Sequence, residues 1–101
     1  MESEKDTERH LCRVVKALGG ECYKWVSPGC SGVPDRIVIL PGGKIFFVEL
    51  KSEGRKSTML QKIRQAELRA LDCTVYADID TTEKVNEVLR KEAARKGSDA
   101  T

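Results

Sequence analysis

Asp35, Glu49 and Lys51 are the residues whose types and spacing could do chemistry. They flank two apolar runs, RIVIL (36–40) and KIFFVEL (44–50), joined by Pro41-Gly42-Gly43, which reads as a short hairpin turn. With a three-residue turn Leu40 pairs with Lys44, and counting outward sets Asp35 opposite Glu49, with Cβ atoms about 5 Å apart. Period two then places Lys51 on the face of Glu49. A two-residue turn would break the apposition, so the reading depends on the turn.

Like charges opposed in an apolar hairpin are destabilising, and an unpaired buried charge costs several kcal/mol. A divalent cation resolves the conflict, because Mg²⁺ takes hard oxygen ligands, one or two carboxylates together with water and phosphate. Lys51 alongside is placed to hold a phosphate or an attacking water and to offset charge developing in phosphodiester cleavage. Taken singly, Glu49 and Lys51 are also a solvated strand end and Asp35 a turn residue after Pro34; together the register favours the site.

Other residues are ambiguous by spacing. Glu8 precedes Leu11, Val15 and Leu18 on the apolar stripe of a first helix, where it either complements the helix dipole or reaches a site. Gln61 follows Thr58 at capping-box spacing, and on spacing alone that role prevails. His10 is the single histidine and falls on the polar side of the helix. With one histidine and no reactive cysteine arrangement, Ser-His-Asp and Cys-His catalysis are excluded. The phosphate-loop and dinucleotide-loop patterns are absent, so no nucleotide cofactor is expected. Tyr23 and Trp25 alternate with Lys24 and are read as packing residues, with base stacking as the alternative.

The elements that must position these residues follow α-β-β-β-α-β-α. Residues 7–18 form a first helix ended by Gly19-Gly20. Residues 21–26 alternate as a strand, and 27–34, with two prolines and two glycines, form a loop. The two hairpin strands are apolar on both faces and are expected in the middle of a covered sheet. A second helix spans residues 57–71 with Leu60, Ile63, Ala66, Ala70 and Leu71 inward. A fourth strand covers 73–79, and a last helix, 82–95, buries Val85, Val88 and Leu89. The expected architecture is α/β, a four-stranded mixed sheet flanked by helices.

The chain has 101 residues, read as a single domain, 1–101, with a core at about 7–80 and frayed ends at 1–6 and 96–101. Charged residues make up 34% but nearly cancel, 18 Lys and Arg against 16 Asp and Glu, which excludes a polycation and an acidic tail protein. Residues 44–69 nevertheless hold seven basic and three acidic side chains, enough for phosphate contacts. With no signal-peptide pattern and no apolar run near the ~18 residues of a membrane span, a cytoplasmic protein is expected. Cys12, Cys22, Cys30 and Cys73 lack close-paired spacing and are read as free thiols rather than zinc ligands.

The runs Gly32-Val33-Pro34-Asp35-Arg36 and Val48-Glu49-Leu50-Lys51 resemble the P-D…(D/E)-x-K signature of restriction-endonuclease-like nucleases. With Gly19-Gly20, Ser27-Pro28-Gly29, Pro41-Gly42-Gly43 and Ser57 followed by Gln61, the string resembles the virus-type replication-repair nuclease (VRR-NUC) domain, from about Glu8 to Tyr76. The resemblance implies an αβββαβ core with an extra C-terminal helix and a Mg²⁺- or Mn²⁺-dependent DNA endonuclease. It implies Asp35, Glu49 and the Leu50 main-chain carbonyl as metal ligands and Lys51 as the catalytic lysine. It also sets Gln61 beside the site and brings in Glu8, as a catalytic residue and a further metal ligand. Thr7, where an apolar residue is common, and Asp72, where the family turns on glycine, depart from the pattern. A stand-alone domain is similar to small phage-type members, which implies a homodimer cutting branched DNA such as a four-way (Holliday) junction, in the host cytoplasm if phage-encoded. A two-fold junction and a two-fold dimer match in symmetry. The alternative is a non-catalytic DNA-binding or assembly subunit with the same fold.

Overall fold

The computed structural model describes residues 1–95, so the end expected to fray at 96–101 lies outside the described residues. The elements run α1 (Glu4–Ala17), β1 (Glu21–Lys24), β2 (Arg36–Leu40), β3 (Lys44–Leu50), α2 (Met59–Ala70), β4 (Val75–Ile79) and α3 (Thr82–Ala94). The expected order is present, with strand order β1-β2-β3-β4 in one mixed sheet. β1, β2 and β3 form an antiparallel meander, and β4 returns through α2 to lie parallel to β3.

The hairpin has the expected register. Leu40 pairs with Lys44, Val38 with Phe46 and Arg36 with Val48 across a three-residue turn. Gly42 and Gly43 take left-handed φ values of 90° and 73° there, conformations that glycine adopts without a Cβ penalty.

α1 begins earlier than its apolar stripe suggests. Ser3 and Asp6 form a reciprocal capping box, so the first turn, expected to be frayed, is ordered. The segment before it is also tied down: the Glu2 carboxylate accepts from the Thr82 N–H at 3.0 Å, and the Glu2 N–H donates to Glu53 Oε1 at 2.7 Å. At the other end Gly20 N–H bonds to Val15 C=O and Gly19 N–H to Lys16 C=O, a Schellman closure. Gly20 then passes so close to β2 that a Cβ there would lie 2.4 Å from the Ile39 carbonyl oxygen.

One face of the sheet carries the core. Val38, Leu40, Phe46, Val48 and Leu50 are buried against Leu11 and Val15 of α1 and Val85, Val88 and Leu89 of α3. The opposite face corrects the expectation of a sheet covered on both sides: Ile45 is 50% exposed, and Ile37, Ile39 and Phe47 are only partly buried. The inward face assigned to α2 is also corrected. Leu60, Ile63, Ala66, Ala70 and Leu71 are exposed, and Gln65 is the buried residue of this helix. Hydrogen bonds set this rotation. Gln65 Nε2 donates to Ser57 Oγ at 2.9 Å, and Ser57 donates through its N–H and its hydroxyl to Asp78 Oδ1, both at 2.7 Å. Buried polar groups must be satisfied, and satisfying these three turns the apolar stripe of α2 outward.

Asp78 sits where the β3–β4 register shifts and has φ 57°. Asp72, at the departure from the family glycine, also adopts the left-handed region with φ 66°, leading into β4. Buried Thr7 donates its hydroxyl to the Ser3 carbonyl at 3.1 Å, which satisfies it at a position where an apolar residue is common. The four cysteines are free thiols, with Cys12 and Cys22 Sγ atoms 3.3 Å apart. No helix among the described residues is long and apolar enough to cross a membrane.

Candidate active site

The paired carboxylates lie where β2 and β3 begin to separate. β2–β3 pairing runs out to Arg36 opposite Val48, and one further step brings Asp35 and Glu49 together. Asp35 is held on both sides. Its carbonyl accepts from the Trp25 N–H at 2.9 Å, which ties it to the segment after β1, and its Oδ2 accepts from the Leu50 N–H at 2.8 Å. Continuing the register would set Leu50 opposite Pro34, and proline has no N–H to offer the Leu50 carbonyl. A carboxylate thus takes the ladder donor of Leu50, while the proline withholds a partner from its acceptor.

Glu49 is 1% exposed, and its Oε1 is buried without a hydrogen-bond partner. Burial, and after it the neighbouring Asp35 carboxyl, pushes its pKa from 4.5 up to about 9. A side chain in that condition suits a hard cation, which would replace the proton and occupy the orphaned oxygen. Two carboxylates and a main-chain carbonyl fit such an ion in donor chemistry. Among the described residues no cluster of three or more His, Cys, Asp or Glu with metal-site geometry is present.

Lys51 and Gln61 complete the group. Lys51 Nζ donates to Gln61 Oε1 at 2.6 Å, and Gln61 Nε2 donates to Glu49 Oε2 at 3.3 Å. Gln61 is at the same time the third residue of the α2 capping box: its Oε1 accepts from the Thr58 N–H at 2.8 Å and its N–H donates to Thr58 Oγ1 at 3.2 Å. The capping role that spacing favoured is present, and the same amide lies against Glu49 and Lys51.

Glu8 stands apart from this group. Its Oε2 accepts from Arg36 Nε at 3.0 Å, and Arg36 Nη1 also donates to the Cys22 carbonyl at 3.1 Å. Glu8 therefore braces α1 against β1 and β2. One turn earlier Glu4, which spacing did not single out, faces the site. Its carboxyl is raised above its ordinary value by partial burial and then by the charge of Asp35, with Lys51 opposing. The sequence signal for it was the Ser3 cap, which extends α1 back over Glu4 and sets it one turn from Glu8. His10 lies off the site, its Nε2 2.7 Å from Asn86 Oδ1 and its Nδ1 3.0 Å from Arg13 Nη2.

An α/β core that gathers two carboxylates, a lysine and a helix glutamine at the open end of a hairpin has the construction of the PD-(D/E)xK nucleases. No family model matches the chain. It is 53% identical over 68 residues to "Putative nuclease p44" of Acyrthosiphon pisum secondary endosymbiont phage 1, which covers 67% of this chain and 73% of that protein. A solved structure described as a VRR_NUC domain matches with a TM-score of 0.81 at 30% identity, over 89% of this chain and 97% of that one. The chain belongs to the VRR-NUC family of nuclease domains.

Proposed function

We propose that this protein is a metal-dependent, structure-selective endonuclease that cuts phosphodiester bonds in branched DNA, a four-way junction above all, as a homodimer. The observation that carries the reading is the continuous chain Lys51–Gln61–Glu49 beside Asp35. Asp35, Glu49 and the Leu50 carbonyl would hold Mg²⁺ or Mn²⁺. Such an ion polarises a phosphoryl oxygen and lowers the pKa of its bound water. Gln61 positions the Lys51 ammonium beside the carboxylates, where it meets the negative charge of the phosphate and steadies the water that attacks it. Glu4 borders the same space from α1 and is a further candidate to orient that water. Glu8, held by Arg36, keeps α1 in place and acts on the site through it.

The basic side chains of β3, α2 and the loop between them offer phosphate contacts without reading sequence. Tyr23 and Ile45 on the open sheet face are 54% and 50% exposed, Val26 after β1 is 69% exposed, and Met59 and Ile63 of α2 and Leu71 at its end are exposed as well. Apolar residues left open in this way support a second copy as partner.

The test is cleavage of a mobile four-way junction and of a sequence-matched linear duplex by purified protein with Mg²⁺ or Mn²⁺. Symmetric nicks in the junction are expected, and Asp35→Asn or Lys51→Ala should abolish them while junction binding persists. Equal cutting of the duplex would refute the structural selectivity. Junction binding without cleavage under either metal would identify a non-catalytic subunit instead.

A further inference from the structure

We propose that the cavity beside Trp25 accepts one unpaired base of the DNA strand being cut, an inference that rests on the nuclease reading above. The cavity, about 220 Å³, lies between Trp25, the 27–33 loop and α2. It is smaller than the roughly 300–1,000 Å³ of clefts that enclose drug-sized ligands, and so suits a single ring system. Trp25, Val33, Leu68 and Leu71 form apolar walls, and Ser27 and Cys30 bring small polar groups to one edge. A flat indole with apolar flanks and a few hydrogen-bonding groups is the environment in which proteins stack an unpaired base.

The position favours DNA as the source of that base. The Trp25 N–H donates to the Asp35 carbonyl, and the Trp25 ring lies 5.2 Å from Phe47, two residues before Glu49 on the same strand face. On the other wall Arg64 is one helical turn beyond Gln61. Through these two contacts the cavity lies beside the strand ends that carry Asp35 and Glu49, within reach of a nucleotide adjoining the cut. Lys24 and Lys62 are exposed nearby and match a phosphate backbone in charge. The walls are built in advance: Arg64 Nε donates to the Ser31 carbonyl at 2.9 Å and Nη1 to Glu67 at 3.1 Å, which fastens the loop to α2. Paired duplex keeps its bases in the stack, whereas a bulge, or a branch point where a pair has opened, leaves a base unpaired and cheapest to extrude. The cavity would thus select DNA with an unpaired base next to the scissile phosphate.

Trp25 is the only tryptophan, so its fluorescence reports on the cavity alone. Metal-free protein in chelator is titrated with a duplex carrying one unpaired thymine and with the fully paired duplex, and saturation is checked independently by anisotropy of labelled DNA. Quenching with the bulged duplex and little change with the paired one is expected for stacking on the indole. Trp25→Leu should weaken binding of the bulged duplex by about 5- to 100-fold and that of the paired duplex far less. Equal quenching by both duplexes, or none at verified saturation, overturns the proposal. So does a fluorescence change that follows protein concentration alone, which would assign the cavity to a second copy. Because no cleavage is required, a protein that cuts junctions without this fluorescence response would retain the nuclease reading and lose this one.

Discussion

Replacing Glu49 by Gln should make the metal-free protein more stable at neutral and alkaline pH. Glu49 is 1% exposed, one of its oxygens has no partner and the other accepts only a 3.3 Å bond from Gln61. Burial and the Asp35 carboxyl push its pKa to about 9. In the folded chain it therefore keeps a proton that the unfolded chain gives up near pH 4.5. Unfolding then releases a proton at intermediate pH. Stability from this group is fully present below the unfolded value and drains away as pH rises through the folded one. Each pH unit inside the window is worth up to about 1.4 kcal/mol, and relaxation of the open site reduces the sum, leaving a loss on the order of 3 kcal/mol between about pH 5 and pH 9. A glutamine amide carries no proton to lose over this range, so the Glu49→Gln protein should lack this slope. Urea unfolding in chelator at pH 5, 7 and 9 measures the difference. The depressed carboxyls of Asp6, Asp78 and Asp80 are common to both proteins and cancel. Parallel pH profiles for the two proteins would refute the argument that the carboxyl is strained by its surroundings.

Gln61→Ala removes the helix cap and the link between Lys51 and Glu49; a stability loss of about 1 kcal/mol and a fall in junction cleavage of roughly a hundredfold are expected from urea titration and single-turnover kinetics. Gly20→Ala drives a Cβ into the Ile39 carbonyl, which as backbone cannot move aside, and should lower stability by about 2–3 kcal/mol in thermal unfolding. Asp72→Gly relieves a left-handed residue that makes the turn into β4 and should raise stability by about 0.5 kcal/mol, seen as a higher urea midpoint.

The hairpin and its consequences were legible because a turn of fixed length dictates register, and register dictates which side chains meet. Asp35, Glu49 and Lys51 came together from that arithmetic alone. The rotation of α2 was not legible. Its apolar stripe pointed one way, and the Gln65–Ser57–Asp78 bonds, formed between distant segments, turned it another. Glu4 was missed because the apolar residues that mark the helix start only at Leu11 and set its expected beginning at Thr7, whereas the helix starts where Ser3 caps it. For Glu8, spacing located the helix face, but only the position of Arg36 decides which partner the carboxylate takes.

Gln61 closes the first turn of α2 and seats Lys51 with the same amide. Melting of that turn and displacement of the ammonium are consequently a single event. A nascent or partly denatured chain could already present both acidic groups and still lack a seated cation beside them. Under the function proposed above, cutting competence arrives only with the finished tertiary structure around α2.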